Sequence, residues 1–112
     1  MSDECWLVSG GHVLASAEVA RTRAARARGL LGRTGIDGAL VIENCRSVHT
    51  IGMKFPIDVA YLDADGVVLK VAHMRRYRIG TPVWKARMVV EGAKGAFERW
   101  GLQVGQVVEL RE

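Results

Sequence analysis

The stretch CRSVHTIGMKFPIDVAYLD, residues 45–63, places Cys45, His49 and Asp58 in a run that is otherwise largely apolar. A cysteine near a histidine is the composition of a thiol nucleophile with its general base, or of two ligands to a metal ion. An aspartate in an apolar run needs a partner, because an unpaired charge is costly to bury. We expect that partner to be a backbone N–H group or one of three arginines, Arg26, Arg28 and Arg33.

The spacing of Cys45 and His49 argues against a nucleophile–base pair and against a shared metal ion, because residues 45–53 are predicted to form a strand. Four residues of strand span about 13 Å at ~3.3 Å per residue, which is too far for a shared metal ion or a proton transfer. We therefore expect no metal site, no cofactor and no catalytic residue. A small enzyme with Cys45 as nucleophile is the alternative, and it requires a base from elsewhere, His12 or His73.

The elements that must position these residues are mostly strands. Gly10-Gly11 and Asp65-Gly66 predict two hairpins, and apolar runs predict further strands over ALVIE, VHTIGM, IDVAYLD, VVLKVAHM, ARMVVE and VVELR. Helical spacing appears over 21–31 and in AKGAFERW, residues 93–100. The pattern predicts a mainly β (α+β) fold, a compact antiparallel jelly-roll-like sandwich or partly closed barrel with one or two short helices.

The length and composition are those of one globular domain. The chain has 112 residues, 49% of them hydrophobic and 25% charged, so we expect residues 1–112 to form a single domain. No apolar run approaches the ~20 residues of a membrane span, and no secretory signal is visible. We expect a soluble, cytoplasmic protein.

The net charge of +4 comes largely from two arginine-rich segments, residues 21–33 and 75–78. Clustered arginines attract phosphate, which makes nucleic-acid binding one functional hypothesis. Tyr77 is the one aromatic residue within these two segments, which is thin support for base stacking.

Several motifs together resemble a known family. RARGLLGR (26–33), CRSVHTIGMKFPIDVAYLD (45–63), WKARMVVEGAKG (84–95) and GLQVGQVVEL (101–110) resemble the bacterial and archaeal family called Domain of Unknown Function 192. The resemblance implies a compact, jelly-roll-like β fold and assigns no activity. The family's recurring residues fall on Arg28, Gly29, Leu30, Arg33, Met53, Pro56, Ile57, Asp58 and Asp63.

The leading hypothesis is a non-catalytic β module that binds a small polar or anionic ligand or a protein partner. Arg28 and Arg33 would engage a carboxylate or phosphate, while His49 and Asp58 would orient it. The hypothesis requires these four side chains to converge on one pocket. An exposed Trp84 is the candidate anchor for a protein partner.

Overall fold

The strands and helices follow closely the apolar runs of the sequence. The computed structural model describes residues 5–112, and within that range it contains seven strands and two short helices. In chain order they are β1 (Cys5–Ser9), β2 (His12–Ala20), α1 (Arg23–Arg28), β3 (Ala39–Glu43), β4 (Ile57–Leu62), β5 (Val68–Met74), β6 (Met88–Ala93), α2 (Ala96–Trp100) and β7 (Val108–Arg111).

All seven described strands belong to one sheet, in the order β5-β4-β6-β3-β2-β1-β7. Five of the described pairs are antiparallel, and β2 with β3 is parallel. The parallel pair needs a crossover, which α1 and the loop after it provide. The predicted mainly β fold with short helices is confirmed, but its strands are not antiparallel throughout.

The sheet curls so that its two edge strands, β5 and β7, come into contact at one end. Val67 and Val107 form an isolated antiparallel bridge beside the starts of β5 and β7. The Val68 amide donates to the Gln106 carbonyl at 2.9 Å, and the Val108 amide donates to the Gly66 carbonyl at 2.9 Å. The barrel is therefore joined at this end and is not closed along the full length of its strands.

Both faces of the sheet are covered by apolar groups. One face, which we call the inner face, collects buried residues from every described strand and from Ala96 and Phe97 of α2, and we call the opposite face the outer face. The opposite face of the central strands packs against Leu30, Val48 and Met53 from the loops. Because both faces are covered, every residue of β4 is buried, which explains its continuous apolar run.

The segment 45–53 is the main departure from the predicted elements. It contains no strand, and its one ladder contact is the bridge between His49 and Ile79. The buried Thr50 holds it instead: its amide donates to the Arg78 carbonyl at 2.7 Å, and its hydroxyl accepts from the Arg78 amide at 2.8 Å. A turn at Gly52, with φ of 83°, then redirects the chain. The predicted strand over 45–53, and with it the separation expected between Cys45 and His49, was therefore wrong.

Helix α1 is also shorter than the predicted range of 21–31. It begins after Thr22, whose hydroxyl accepts from the Ala25 amide at 3.1 Å, and it ends at Gly29, which has φ of 51° and ψ of −126°. Such a conformation strongly favours glycine, so the helix stops before Leu30. Leu30 is then free to enter the core on the outer face of the sheet.

The junction between β5 and β7 depends on Gly66. Its φ is 84°, and a Cβ there would overlap the Val108 carbonyl. We expect Gly66→Ala to lower the free energy of unfolding by about 2–5 kcal/mol, from left-handed strain plus steric overlap. Gly11→Ala is the matched control, because Gly11 has φ of 80° with nothing near its Cβ position, and it should cost only about 1–2 kcal/mol. Equal losses in urea denaturation would contradict a close approach at Gly66.

Candidate functional site

A small cleft on the outer face of the sheet brings together several charged or reactive side chains. It has a volume of about 70 Å³ and lies between the end of α1 and the segment 45–53. We call it the α1 cleft. Its polar lining residues are Arg26, Arg28, Cys45, Ser47, His49 and Glu91, and its apolar lining includes Leu30, Ile42 and Met53.

Glu91 forms the inner end of the α1 cleft. It stands on β6 opposite Leu40 of β3 and Val59 of β4, so its side chain points to the outer face of the sheet. Only 4% of the residue is exposed, and its Oε1 has no hydrogen-bond partner among the described residues. Burial raises the pKa of this carboxyl to about 7. The protonated form is therefore favoured to a much higher pH than it is in an exposed glutamate.

Gly29 leaves open space beside that carboxyl. A Cβ at this position would lie 3.6 Å from Oε1 of Glu91 and 3.9 Å from Cδ1 of Ile42. Any larger side chain would fill the volume next to the unpartnered oxygen. The conformation of Gly29 thus ends α1, and its lack of a side chain leaves the cleft open.

Cys45 lines the same cleft as a half-buried thiol. Its Sγ donates to the Ser47 carbonyl at 3.1 Å. Burial raises the pKa of this thiol, and the nearby negative charge of Glu91 acts in the same direction. A nucleophilic cysteine shows the opposite shift, since the reactive species is the thiolate.

Arg28 and His49 stand at the mouth of the α1 cleft, and both are exposed. Arg28 is the last residue of α1 and forms no ion pair with another described residue. His49 is fixed by its backbone bridge to Ile79. The mouth is therefore positively charged above a buried carboxyl.

Arg33 lies outside the α1 cleft. Its guanidinium contacts both carboxylate oxygens of Glu18, at 2.8 and 3.0 Å. The paired hydrogen bonds lower the pKa of Glu18 and raise that of Arg33. Arg33 lines a cleft of about 580 Å³ beside β2 and, with Arg28, a second cleft of about 420 Å³ beside α1.

Asp58 is fully buried and also lies away from the α1 cleft. Its Oδ2 accepts from the amides of Gly95 and Phe97, at 3.1 and 3.2 Å, and its Oδ1 lies 2.7 Å from Nδ1 of His73. The predicted backbone N–H partner is present, and the alternative arginine partners are not. The four predicted ligand residues thus divide: Arg28 and His49 share the α1 cleft, while Arg33 and Asp58 do not enter it.

The sequence did not point to Glu91, but it correctly predicted the exposure of Trp84. Glu91 was missed, although a glutamate inside the apolar run MVVEGA is an unusual residue for a buried strand. Trp84 is 75% exposed, so its predicted exposure is confirmed. Its use as an anchor for a partner stays a prediction.

The raised pKa of Glu91 makes stability depend on pH. Below pH 4.5 the carboxyl is protonated in both states, whereas between pH 4.5 and about 7 only the unfolded chain releases the proton. Folding stability should therefore fall through this window by about 3 kcal/mol in the wild type relative to Glu91→Gln. Urea denaturation at several pH values measures the difference. Glu98→Gln, at an exposed position of α2, should track the wild type, and an equal response of both variants would contradict the assignment.

Comparison with solved structures supports the fold. A protein of unknown function from Novosphingobium aromaticivorans DSM 12444 superposes with a TM-score of 0.75 and 21% identity, covering 95% of this chain and 83% of that one. A protein from Sinorhizobium meliloti 1021, described as a candidate transcription regulator, has a TM-score of 0.78 and 18% identity, covering 97% and 93%. At these identities the likeness concerns the fold alone. Within the described residues, neither helix has the length and apolar character required to cross a membrane.

Sequence comparison extends the similarity to curated proteins. A UPF0127 protein from Thermococcus gammatolerans is 36% identical over 104 residues, which are 88% of this chain and 65% of that protein. A UPF0127 protein from Pyrococcus furiosus is 32% identical over 63 residues, 56% of this chain and 54% of that protein. The chain thus spans between about half and two thirds of these relatives. The family model DUF192, described as "Uncharacterized ACR, COG1430", matches residues 6–110, and the chain belongs to this family.

Proposed function

We propose that the protein binds a small ligand in the α1 cleft, one that carries a carboxylate or phosphate at one end and a hydrogen-bond donor at the other. The observation that carries this proposal is the unpartnered Oε1 of Glu91. Leaving a buried acceptor unpaired costs about 1–3 kcal/mol. A ligand whose donor reaches Oε1 removes that cost, so binding is favoured at this atom.

The mouth of the cleft supports an anionic group on the same ligand. Arg28 offers a planar guanidinium suited to two-point contact with a carboxylate or phosphate. Arg26 and His49 lie in the same lining and add donors. The ligand therefore meets positive charge outside and a carboxyl group inside.

The volume of the α1 cleft limits the ligand to a few non-hydrogen atoms. The cleft measures about 70 Å³, and one water-sized group needs at least about 10–15 Å³ by this kind of measure. Small amino acids and hydroxy acids fit both the size and the donor–anion arrangement. Arg33 and Asp58 would then act on the fold and not on the ligand.

Binding without chemical conversion is favoured over catalysis. The thiol of Cys45 is held as a donor to the Ser47 carbonyl, and its raised pKa disfavours the thiolate. A thiol enzyme needs the reverse arrangement, with a base accepting the proton. Cys45 instead supplies a polarizable wall beside Met53.

The proposal is tested by thermal shift with glycine, alanine, lactate, glycolate, acetate and inorganic phosphate. A ligand at a hundredfold excess over its dissociation constant stabilises the native state by about 2.7 kcal/mol. We expect at least one donor-bearing acid to raise the melting temperature more than acetate does. Glu91→Gln and Arg28→Gln should each reduce that shift.

Arg23→Gln is the matched control, since Arg23 lies exposed on the same helix and does not line the cleft. It should keep the full shift. A shift lost equally in Arg23→Gln and Arg28→Gln would show non-specific charge binding and would overturn the proposed site. A flat response of the wild type to the whole panel would do the same for the proposed ligand class.

A further inference from the structure

A second polar region lies beside the edge strand β5. Two clefts of about 760 and 430 Å³ meet along His73, Met74, Arg75 and Arg78, and we call them together the β5 cleft. Lys94 lines the larger part and Lys70 the smaller. The β5 cleft shares no lining residue with the α1 cleft, so it is a separate site.

His73 is held in one orientation by Asp58. The two residues stand opposite each other on β5 and β4, and Nδ1 lies 2.7 Å from Oδ1 of Asp58. Asp58 is itself fixed, because its other oxygen accepts two amides at the start of α2. An ionised carboxylate only accepts, so Nδ1–H is the donor to Asp58, and the ring offers Nε2–H as a second donor to an anion when it carries both protons. Nε2 has no hydrogen bond to a described residue, and the His73 side chain is 70% exposed.

The cations around His73 divide into two groups. Arg76 and Arg78 hold the loop: Arg76 donates to the Met53 carbonyl at 2.7 Å, and Arg78 donates to the Tyr77 carbonyl at 3.3 Å. The side chains of Arg75 and Lys94 make no hydrogen bond or ion pair with another described residue. Among the described residues, no carboxylate lines the β5 cleft. This region is therefore suited to an anion with several acceptor oxygens.

We propose that the β5 cleft binds a phosphate group through Arg75, Lys94 and His73, with Asp58 as the positioning residue for His73. A phosphate offers enough oxygens for three donors, and the β5 cleft is much larger than a single phosphate. Tyr77, a residue 58% accessible with the Arg76 guanidinium 4.9 Å from its ring centroid, lines the larger part of the β5 cleft, and a planar group attached to the phosphate would stack on this pair. Free phosphate monoesters and the phosphodiesters of a single strand share this chemistry.

An NMR titration at low ionic strength tests the proposal with three probes: inorganic phosphate, adenosine 5′-monophosphate and a ten-nucleotide DNA strand. We expect saturable shifts at residues 73–78 and at Lys94, and at least tenfold weaker binding in Arg75→Gln and His73→Gln. Arg46→Gln and His12→Gln are the matched controls, because both positions are exposed and outside the β5 cleft. Their affinity should stay within twofold of the wild type.

The probes distinguish the sources of the phosphate. Tighter binding of the DNA strand, with affinity that falls steeply as salt rises, identifies a phosphodiester backbone as the ligand. Tighter binding of the monophosphate identifies a small phosphate ester. Saturation by none of the three probes, or equal weakening in the matched controls, would overturn the proposal.

The role of Asp58 has its own readout. The ¹⁵N shifts of the His73 ring in the wild type should show the proton on Nδ1 when the ring is neutral. Asp58→Asn removes the carboxylate that accepts Nδ1–H and orients the doubly protonated ring, so it should weaken phosphate binding at least fivefold and move the neutral ring away from the Nδ1–H tautomer. If Asp58→Asn fails to fold, the wild-type tautomer still decides, since a neutral ring protonated on Nε2 contradicts positioning by Asp58.

Discussion

The buried carboxylate of Asp58 joins three elements that are distant in sequence. It stands on β4, contacts His73 on β5 and accepts the amides of Gly95 and Phe97 at the start of α2. Helix α2 has five residues, too few to persist without tertiary support. Gly95 has no side chain to cap that helix, so Asp58 supplies the cap from the neighbouring strand. Phe97 is thereby held over the inner face of the sheet.

Consecutive residues of β6 serve the two faces of the sheet in different ways. Gly92, which pairs with Asp58, lies under α2, where a Cβ would come within 3.0 Å of the Trp100 ring and 3.3 Å of the Phe97 ring. Glu91 points to the other face, into the α1 cleft. The two buried carboxyl groups among the described residues of the sheet therefore differ in their hydrogen bonding. Asp58 has partners at both oxygens, whereas the Glu91 side chain forms no hydrogen bond with another described residue, and its Oε1 is fully buried.

The sequence predicted the elements whose signals are local and missed those set by distant contacts. The hairpin at Gly10-Gly11, the run IDVAYL and the turn at Asp65-Gly66 carry their own turn chemistry or apolar pattern, and each forms. The parallel pairing of β2 with β3 has no local signal. For the α1 cleft, the sequence singled out Arg28 and His49, whose role as ligand residues stays a prediction, and it could not show that Glu91 lines the same cleft, because only the fold brings β6 close to the end of α1.

The segment 45–53 shows most clearly why local pattern was insufficient. Its residues have strand propensity, yet Thr50 is paired through backbone and hydroxyl with Arg75 and Arg78. These bonds span more than twenty residues of sequence, so no window of local propensity contains them. Thr50 thereby ties the wall of the α1 cleft to the loop that borders the β5 cleft. Because neither segment has a continuous ladder of its own, the shape of both clefts depends on Thr50 together with the Arg76–Met53 hydrogen bond and the His49–Ile79 bridge.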